Sequence, residues 1–300
     1  MTEPTPRPFS QVDVFTAVPY LGNPVAVVHD ADDLTDDAMA AFARWTNLSE
    51  TTFLLRPTTS DADYRLRIFT PGGELPFAGH PTIGSAHAWL AAGGTPARAG
   101  QVVQECGVGL VTLRTTSDGQ PPRGVAGADR AGATSSGLAF AAPALLTETA
   151  EDDATVAGYA RALGLPDTAV VDSRFLDNGP RWHVLLLDSA QRVLDVRPDW
   201  SALGDVHLGI VGPYPPGGDV AFEVRGFAPA IGVPEDPVTG SLNAVVGQWL
   251  TSTGRAPATY VASQGTVLGR RGRVRVERDA DGTVWVGGDA VTCVAGTVVI

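Results

Sequence analysis

The chain has 300 residues, of which 44% are hydrophobic and 18% are charged, and its formal net charge is −12. This negative balance disfavours nucleic acid and anionic membranes as partners, because both require clustered lysine and arginine. No run of about 18 apolar residues predicts a membrane span, and the N-terminus has no apolar signal core, so we expect a cytoplasmic protein. The length favours about two domains with sizeable cores.

Hydrophobic periodicity predicts many short strands and a few helices. In the first half, strands are predicted over 9–15, 23–28, 63–69, 101–105, 109–115 and 138–141, and a further strand ends at residue 55. Helices are predicted over 36–45, capped by Thr35, and over 82–92. In the second half, a capping box over 149–152 predicts a helix that ends near 164. Strands follow near 170 and over 182–187, 207–211, 220–227, 259–264, 273–278, 284–287 and 291–299, with a helix over 242–252.

This pattern predicts an α+β fold of two domains, each a β-sheet wrapped around one apolar helix. The segment 117–137 is rich in Gly, Pro and Ser, which is typical of an interdomain connection. We place the N-terminal half at 1–128, with a C-terminal strand at about 288–300 returning to it, and the C-terminal half at 129–287.

A degenerate repeat supports the two-domain interpretation. Arg67-Ile-Phe-Thr-Pro71 resembles Arg225-Gly-Phe-Ala-Pro229 at an offset of 158 residues (225 minus 67). His80-Pro-Thr-Ile-Gly-Ser85 resembles Asp236-Pro-Val-Thr-Gly-Ser241 at an offset of 156 residues (236 minus 80). The shared order and spacing predict a duplicated domain in which each copy has a turn that leads into an apolar helix.

Each predicted turn is suited to binding an anion. The first N–H groups of a helix have no intrahelical partner, and the helix dipole is positive there. Gly84 and Gly240 would allow a ligand close to the backbone, and Ser85 and Ser241 would add hydroxyl donors. The alternative interpretation is that Pro and Gly-Ser only start two helices.

Three titratable residues are candidates for catalysis. Glu50 lies at a helix-to-strand junction beside an apolar strand, where desolvation would suit a general acid or base; the alternative is a solvated loop residue. His80 would donate to a substrate or relay protons, unless it only caps its helix. Asp236 would orient a substrate amine or hydroxyl, unless it is an N-cap.

Other polar residues are expected to have structural roles. Glu74 and Glu235 are interpreted as loop surface, and His87 as a core histidine of an apolar helix. Cys106 and Cys293 have no C-x-x-C spacing, so neither a disulfide framework nor a zinc site is predicted. No P-loop, G-x-S-x-G or H-E-x-x-H motif is present, and we expect no metal.

Three motifs, in the same order, resemble signature segments of the PhzF-like family of phenazine-biosynthesis isomerases. They are Asn47-Leu-Ser-Glu-Thr-Thr-Phe53, Phe69-Thr-Pro-Gly-Gly-Glu-Leu-Pro-Phe-Ala-Gly-His-Pro-Thr82, and Phe227-Ala-Pro229 with Glu235-Asp-Pro-Val-Thr-Gly-Ser241. Gln264-Gly265 also fits. The resemblance extends over nearly the whole chain.

The resemblance implies a fold like that of diaminopimelate epimerase, with the active site in the cleft between two pseudo-symmetric halves. It also implies a homodimer and an isomerase without metal or organic cofactor, similar to trans-2,3-dihydro-3-hydroxyanthranilate isomerase. Glu50 would carry the proton, assisted by His80 and Asp236. The substrate carboxylate would be bound by Gly240 and Ser241. We also predict Gly79, Gly84 and Ser85 as binding residues, apart from what the resemblance implies.

Two other functions are compatible with the same residues. An epimerase or racemase of an amino acid-like substrate would use Glu50, His80 and Asp236, although a two-thiol mechanism is disfavoured because the cysteines lie away from the turns. A non-catalytic small-molecule binding protein would keep the cleft without turnover.

Overall fold

The computed structural model describes residues 5–115, 137–229 and 233–300. Residue contacts divide the chain into two compact units, one made of Met1–Ala141 with Gly287–Ile300 and the other of Ala142–Val286. Both units combine strands with few helices, which confirms the predicted α+β class. The boundary predicted between 128 and 129 lies outside the described residues, as does nearly all of the predicted connection over 117–137.

Strands and helices are numbered in chain order. Up to residue 141 they are β1 (Pro6–Val14), β2 (Asn23–Val28), α1 (Asp36–Thr46), β3 (Thr51–Leu55), β4 (Tyr64–Thr70), β5 (Gly73–Leu75), α2 (Gly79–Ala91), β6 (Gln101–Cys106), β7 (Gly109–Thr115) and β8 (Leu138–Ala141). From residue 142 they are β9 (Thr147–Thr149), α3 (Asp153–Ala162), β10 (Val170–Asp177), β11 (Arg181–Leu187), α4 (Ala190–Asp195), α5 (Trp200–Leu203), β12 (Leu208–Pro213), β13 (Phe222–Ala228), β14 (Val233–Asp236), α6 (Gly240–Ser252), β15 (Thr259–Gln264), β16 (Gly272–Arg278), β17 (Val284–Gly288) and β18 (Ala290–Val299).

The two units have the same order of strand pairing. In the first unit, β1–β2 is antiparallel, β2–β3 parallel, β3–β4 antiparallel, β4–β6 parallel and β6–β7 antiparallel, and β5 pairs with β4. In the second unit, β10–β11, β11–β12, β12–β13, β13–β15 and β15–β16 follow the same sequence of directions, and β14 pairs with β13. The topology is therefore duplicated, as the sequence repeat predicts.

Each unit contains one long buried helix. In the first, α2 contacts β1, β2, β3, β4, β6, β8 and β18, and every residue from Gly79 to Ala88 is buried. Small and apolar residues on all sides of this helix explain why it is enclosed. In the second, α6 is buried over most of its length and packs closely on the sheet, because a Cβ at Gly209 would lie 2.4 Å from Cδ1 of Leu242.

Both buried helices begin earlier than the periodicity predicts. Helix α2 begins at Gly79 and not at 82, and α6 begins at Gly240 and not at 242. Pro81 lies within the first turn of α2, where its missing N–H is not needed for an intrahelical bond.

The N-caps of the outer helices are only partly as predicted. Thr35 caps α1, as predicted, because its side chain accepts from the amide of Ala38. The capping box over 149–152 is wrong, since Thr149 ends β9 and Asp152 caps α3.

An arginine–glutamate ion pair occurs at the same place in both units, and in the second unit it is buried. Arg225 in β13 donates Nε and Nη2 to the two carboxylate oxygens of Glu235, each at 2.8 Å, and its Nη1 donates to the carbonyls of Val193 and Val196. The Arg225 and Glu235 side chains are only 2% and 8% exposed, so Glu235 is not the surface residue that the sequence suggests. In such a bidentate pair, each buried charge lies next to an opposite charge and is hydrogen-bonded to it.

The first unit repeats this pair in a more exposed form. Arg67 in β4 donates Nε and Nη2 to Glu74, each at 2.7 Å, and the Glu74 side chain is 43% exposed. Each arginine also lies over the ring two residues later, Phe69 or Phe227, at 5.1 Å from its centroid. The repeated arginine therefore fixes the hairpin that precedes each buried helix.

The unequal burial of the two pairs predicts unequal stability losses. Glu235→Gln leaves the buried Arg225 charge without its carboxylate and should lower the free energy of unfolding by about 3–5 kcal/mol. Glu74→Gln, at a partly solvated site, should cost about 1 kcal/mol or less. Urea unfolding of the two matched variants measures the difference, and equal losses would contradict it.

Candidate active site

Glu50 lies in the short connection between α1 and β3, as the sequence predicts. Helix α1 ends with Asn47 in the left-handed conformation (φ 54°), and β3 begins at Thr51. The hydroxyls of Thr46 and Thr51 are 2.8 Å apart, which holds the two ends of this connection together. The Glu50 side chain is only 11% exposed, so the carboxyl is buried and the solvated-loop alternative is wrong.

His80 is the second residue of α2 and contacts this carboxyl. Its Nε2 lies 3.2 Å from Oε2 of Glu50, and neither atom is accessible to water. Burial lowers the pKa of His80 to about 3, although the backbone carbonyl of Pro24 acts in the opposite direction. The imidazole is therefore neutral at pH 7, with one ring nitrogen as a donor and the other as an acceptor.

The first turns of α2 and α6 differ from those of the other helices. Neither has a side-chain cap or an acidic residue in its first turn. The remaining α-helices of the described residues are all capped by side chains, namely Thr35, Asp152, Ser189 and Asp199. The N-terminal amides of the two buried helices, at Gly79 and Gly240 onward, therefore keep the electrostatic character of an anion site.

A buried amide network shapes the turn before α6. Thr239 donates its hydroxyl to Oδ2 of Asp236 at 2.7 Å instead of capping the helix. Gln264, fully buried in β15, accepts from the Thr239 amide at 3.0 Å and from Asn243 Nδ2 at 2.8 Å. It also donates to the Asp236 carbonyl at 3.1 Å. Asp236 is thus tied to the helix start, and it is not the N-cap.

Ser241 is the second residue of α6, as His80 is of α2. Trp182 donates its indole N–H to the Ser241 hydroxyl at 3.2 Å, and Asn178 donates to the Ser241 carbonyl at 3.3 Å. The side chain and the backbone of Ser241 are therefore both held by neighbouring elements.

Gly84 and Ser85 lie in the second turn of α2, away from its first amides. A Cβ at Gly84 would lie 2.4 Å from Cγ1 of Val25, so this glycine allows close packing of the helix on β2. The fully buried Ser85 donates to the Thr52 hydroxyl at 2.9 Å. These contacts account for both residues without a ligand.

The first residues of α2 and α6 therefore give a different alignment of the two units from the one that the sequence repeat predicts. Gly79-His80 is structurally equivalent to Gly240-Ser241, at an offset of 161 residues (240 minus 79). The alignment of Gly84-Ser85 with Gly240-Ser241 is wrong, because it matches a second helical turn with a first one.

The other candidates lie outside this arrangement. His87 is buried in α2 with Nε2 3.0 Å from the Thr292 hydroxyl, which confirms it as a core histidine. Cys106 ends β6, and Cys293 lies in β18. A cavity of about 540 Å³ beside His29 and Trp89 contains none of the predicted site residues.

Two further searches cover the described part of the chain. No group of three or more His, Cys, Asp or Glu residues there could hold a metal ion. None of the helices there combines the length and the apolar character needed to cross a bilayer.

Comparison with known proteins identifies the family. The model of a family described as phenazine biosynthesis-like protein matches residues 12–296. The chain belongs to this PhzF family. A solved PhzF-family structure from Bacillus anthracis superimposes with a TM-score of 0.79 at 21% identity, covering 99% of this chain and 100% of its own. The predicted family and fold are confirmed.

Two curated PhzF relatives cover most of the sequence. "Antisense-enhancing sequence 1" of Schizosaccharomyces pombe is 39% identical over 97% of this chain and 98% of its own. "Trans-2,3-dihydro-3-hydroxyanthranilate isomerase" of Pseudomonas aeruginosa is 36% identical over 77% of this chain and 74% of its own. The predicted enzyme class, an isomerase, is thus found among members of the family.

Several residues that contact the two helix starts carry no signal in the sequence that assigns them a role. Asn23, Asn178 and Trp182 lie about 60 residues from the helix starts they contact, at separations of 57, 63 and 59 residues. Only the fold of its own unit brings each of them to its helix start. Gln264 lies in a segment that resembles the family, but its four hydrogen bonds need the structure.

The lowered pKa of His80 predicts a stability difference that depends on pH. Unfolded His80 takes up a proton near pH 6.5 but the folded ring does so only near 3, so acid favours unfolding within this window. Between pH 8 and pH 5, the protein should lose about 2 kcal/mol of unfolding free energy that His80→Gln does not lose. Urea unfolding of both proteins at each pH measures this, and parallel pH curves would contradict it.

Proposed function

We propose that the chain is a cofactor-independent isomerase that moves a proton and a double bond within a small conjugated carboxylate, as the trans-2,3-dihydro-3-hydroxyanthranilate isomerases do. The observation that carries this proposal is the buried Glu50 carboxyl, 3.2 Å from a neutral His80 at the start of α2. A buried carboxyl beside a neutral imidazole is a suitable pair for proton transfer near neutral pH.

In this reaction, Glu50 takes the proton from the carbon that bears the hydroxyl group. The electron pair of that C–H bond moves into the conjugated system, and the proton returns at another carbon, so product and substrate have the same composition. His80, held beside Glu50, orients the carboxyl and assists the transfer. Because both groups are already desolvated, little solvent has to be reorganised when the proton moves.

The start of α6 supplies the binding site for the substrate carboxylate in this proposal. The amides of Gly240 and Ser241 and the Ser241 hydroxyl are the donors. A net charge of −12 repels anions overall, so local donors have to supply the attraction. The absence of a side-chain cap on either helix supports this role.

Asp236 completes the proposed set of functional residues. Its carboxylate accepts from Thr239 at the entrance to α6, where it can also accept from a substrate amine or hydroxyl. Gly84 and Ser85 are not included, because packing explains both of them.

The choice of substrate depends on the 36% identical relative, which is named for this isomerisation. The name of the 39% identical relative specifies no reaction. The homodimer that the resemblance implies and the cytoplasmic location expected from the sequence remain predictions.

Replacing Glu50 tests the proposed proton carrier. Glu50→Gln keeps the shape of the side chain but removes its proton-transfer capacity, so turnover of trans-2,3-dihydro-3-hydroxyanthranilate should fall by about 10²–10⁴-fold. Reactions in deuterium oxide, followed by NMR, measure both turnover and incorporation of deuterium at carbon. Glu74→Gln, in the same unit, is the matched control and should retain turnover.

Each other outcome has a defined meaning. Full turnover by Glu50→Gln would exclude Glu50 as the proton carrier. Deuterium exchange at a stereocentre without migration of a double bond would assign an epimerase instead. A wild-type protein that binds the compound without turnover or exchange would be a binding protein.

A further inference from the structure

We propose that Trp182 is a positioning residue that fixes the Ser241 hydroxyl as a donor toward the substrate carboxylate. This inference rests on the proposed function, because it assumes that a carboxylate lies at the start of α6. Trp182 is not among the site residues that the sequence predicts.

The hydrogen bond between these residues has only one possible direction. Trp182 is the second residue of β11 and is 3% exposed, and its Nε1 lies 3.2 Å from Oγ of Ser241. An indole N–H can donate but cannot accept, so Oγ must be the acceptor. The hydroxyl proton of Ser241 is consequently directed away from the indole and remains available to an anionic ligand.

The hairpin between β10 and β11 holds the other side of Ser241. Asn178, in the turn of this hairpin, donates to the Ser241 carbonyl at 3.3 Å. The turn itself is fixed because the Gly179 amide donates to Asp177 at 2.9 Å, with Gly179 in the left-handed region (φ 116°). The His207 ring lies 5.3 Å from the Trp182 ring and packs against the indole. Ser241 is thus held at its backbone and at its side chain.

The first unit contains the same arrangement. Strand β2 is the topological equivalent of β11, and its first residue, Asn23, places Nδ2 3.4 Å from Nδ1 of His80. His80, like Ser241, is the second residue of its helix. In both units, a polar side-chain group from the start of the same strand therefore contacts the side chain at the second helical position. This recurrence favours a role in positioning over an incidental contact.

Loss of the indole donor has a specific consequence. Without Trp182 Nε1–H, Oγ of Ser241 can rotate and direct its own proton to other acceptors. A carboxylate would then meet a hydroxyl that is oriented correctly for only part of the time. Because one net hydrogen bond is at stake, we expect about five-fold weaker binding, with kcat changed less than KM.

Binding of 3-hydroxyanthranilate tests this expectation without any turnover. This aromatic carboxylate has no hydrogen on its hydroxyl-bearing carbon, so it can bind but cannot isomerise. Its Kd is measured by calorimetry for the wild type, Trp182→Phe, Ser241→Ala and the double variant. Trp285→Phe is the matched control, because Trp285 also loses an indole hydrogen bond, to Asp279 at 2.9 Å.

The inference predicts that Trp182→Phe raises Kd about five-fold in the wild type but by less than about two-fold when Ser241 is Ala. Trp285→Phe should leave Kd unchanged. Equal effects in both backgrounds, an unchanged Kd in Trp182→Phe, or a wild type that does not bind the probe would overturn the inference. If the wild type binds 3-hydroxyanthranilate but does not isomerise trans-2,3-dihydro-3-hydroxyanthranilate, the proposed function is wrong while the inference about Trp182 still holds.

A spectroscopic measurement does not depend on how well Trp182→Phe folds. Ser241→Ala removes the acceptor of the Trp182 indole, so the corresponding N–H resonance, one of six from tryptophan, should move in an NMR spectrum. Unchanged indole resonances would contradict the hydrogen bond on which the inference rests.

Discussion

The first-turn amides of a buried helix need hydrogen-bond acceptors, and the candidate site depends on this requirement. Peptide N–H groups that are removed from water need acceptors, and the outer helices of this protein obtain them from Ser, Thr or Asp caps. Helices α2 and α6 have no such caps, although they are the most deeply enclosed helices of their units. In the proposed function, the substrate carboxylate is the acceptor for the amides at the start of α6.

The two buried helices have different side chains at their second residues, although the topology around them is duplicated. The second residue is a histidine in α2 and a serine in α6. His80 lies against a buried carboxyl and stays uncharged, whereas Ser241 receives an indole hydrogen bond. The two helix starts therefore differ in their side-chain contacts, while the strands that surround each helix have the same topology.

Local patterns predicted most elements, and long-range packing explains the errors. The sequence was sufficient for features that depend on neighbouring residues. These are the Thr35 cap, the two strands of the hairpin over 101–115 and the junction at Glu50. The start of α2 was missed because Pro81 is tolerated in a first turn. Glu235 looks like a surface residue until Arg225 is placed beside it on the adjacent strand. Likewise, the partners of Ser241 come from a hairpin that is distant in sequence.

The last strand has a consequence for the synthesis of this protein. Strand β18 belongs to the first unit and pairs with β1 from Pro6 to Val14, yet it is made only after the whole of the second unit. A ribosome therefore synthesises the whole second unit before β18 can complete the N-terminal sheet. The second unit is continuous from Ala142 to Val286 and does not depend on β18 in this way. Strand β1, although it is the first strand to be made, lacks its partner β18 until then.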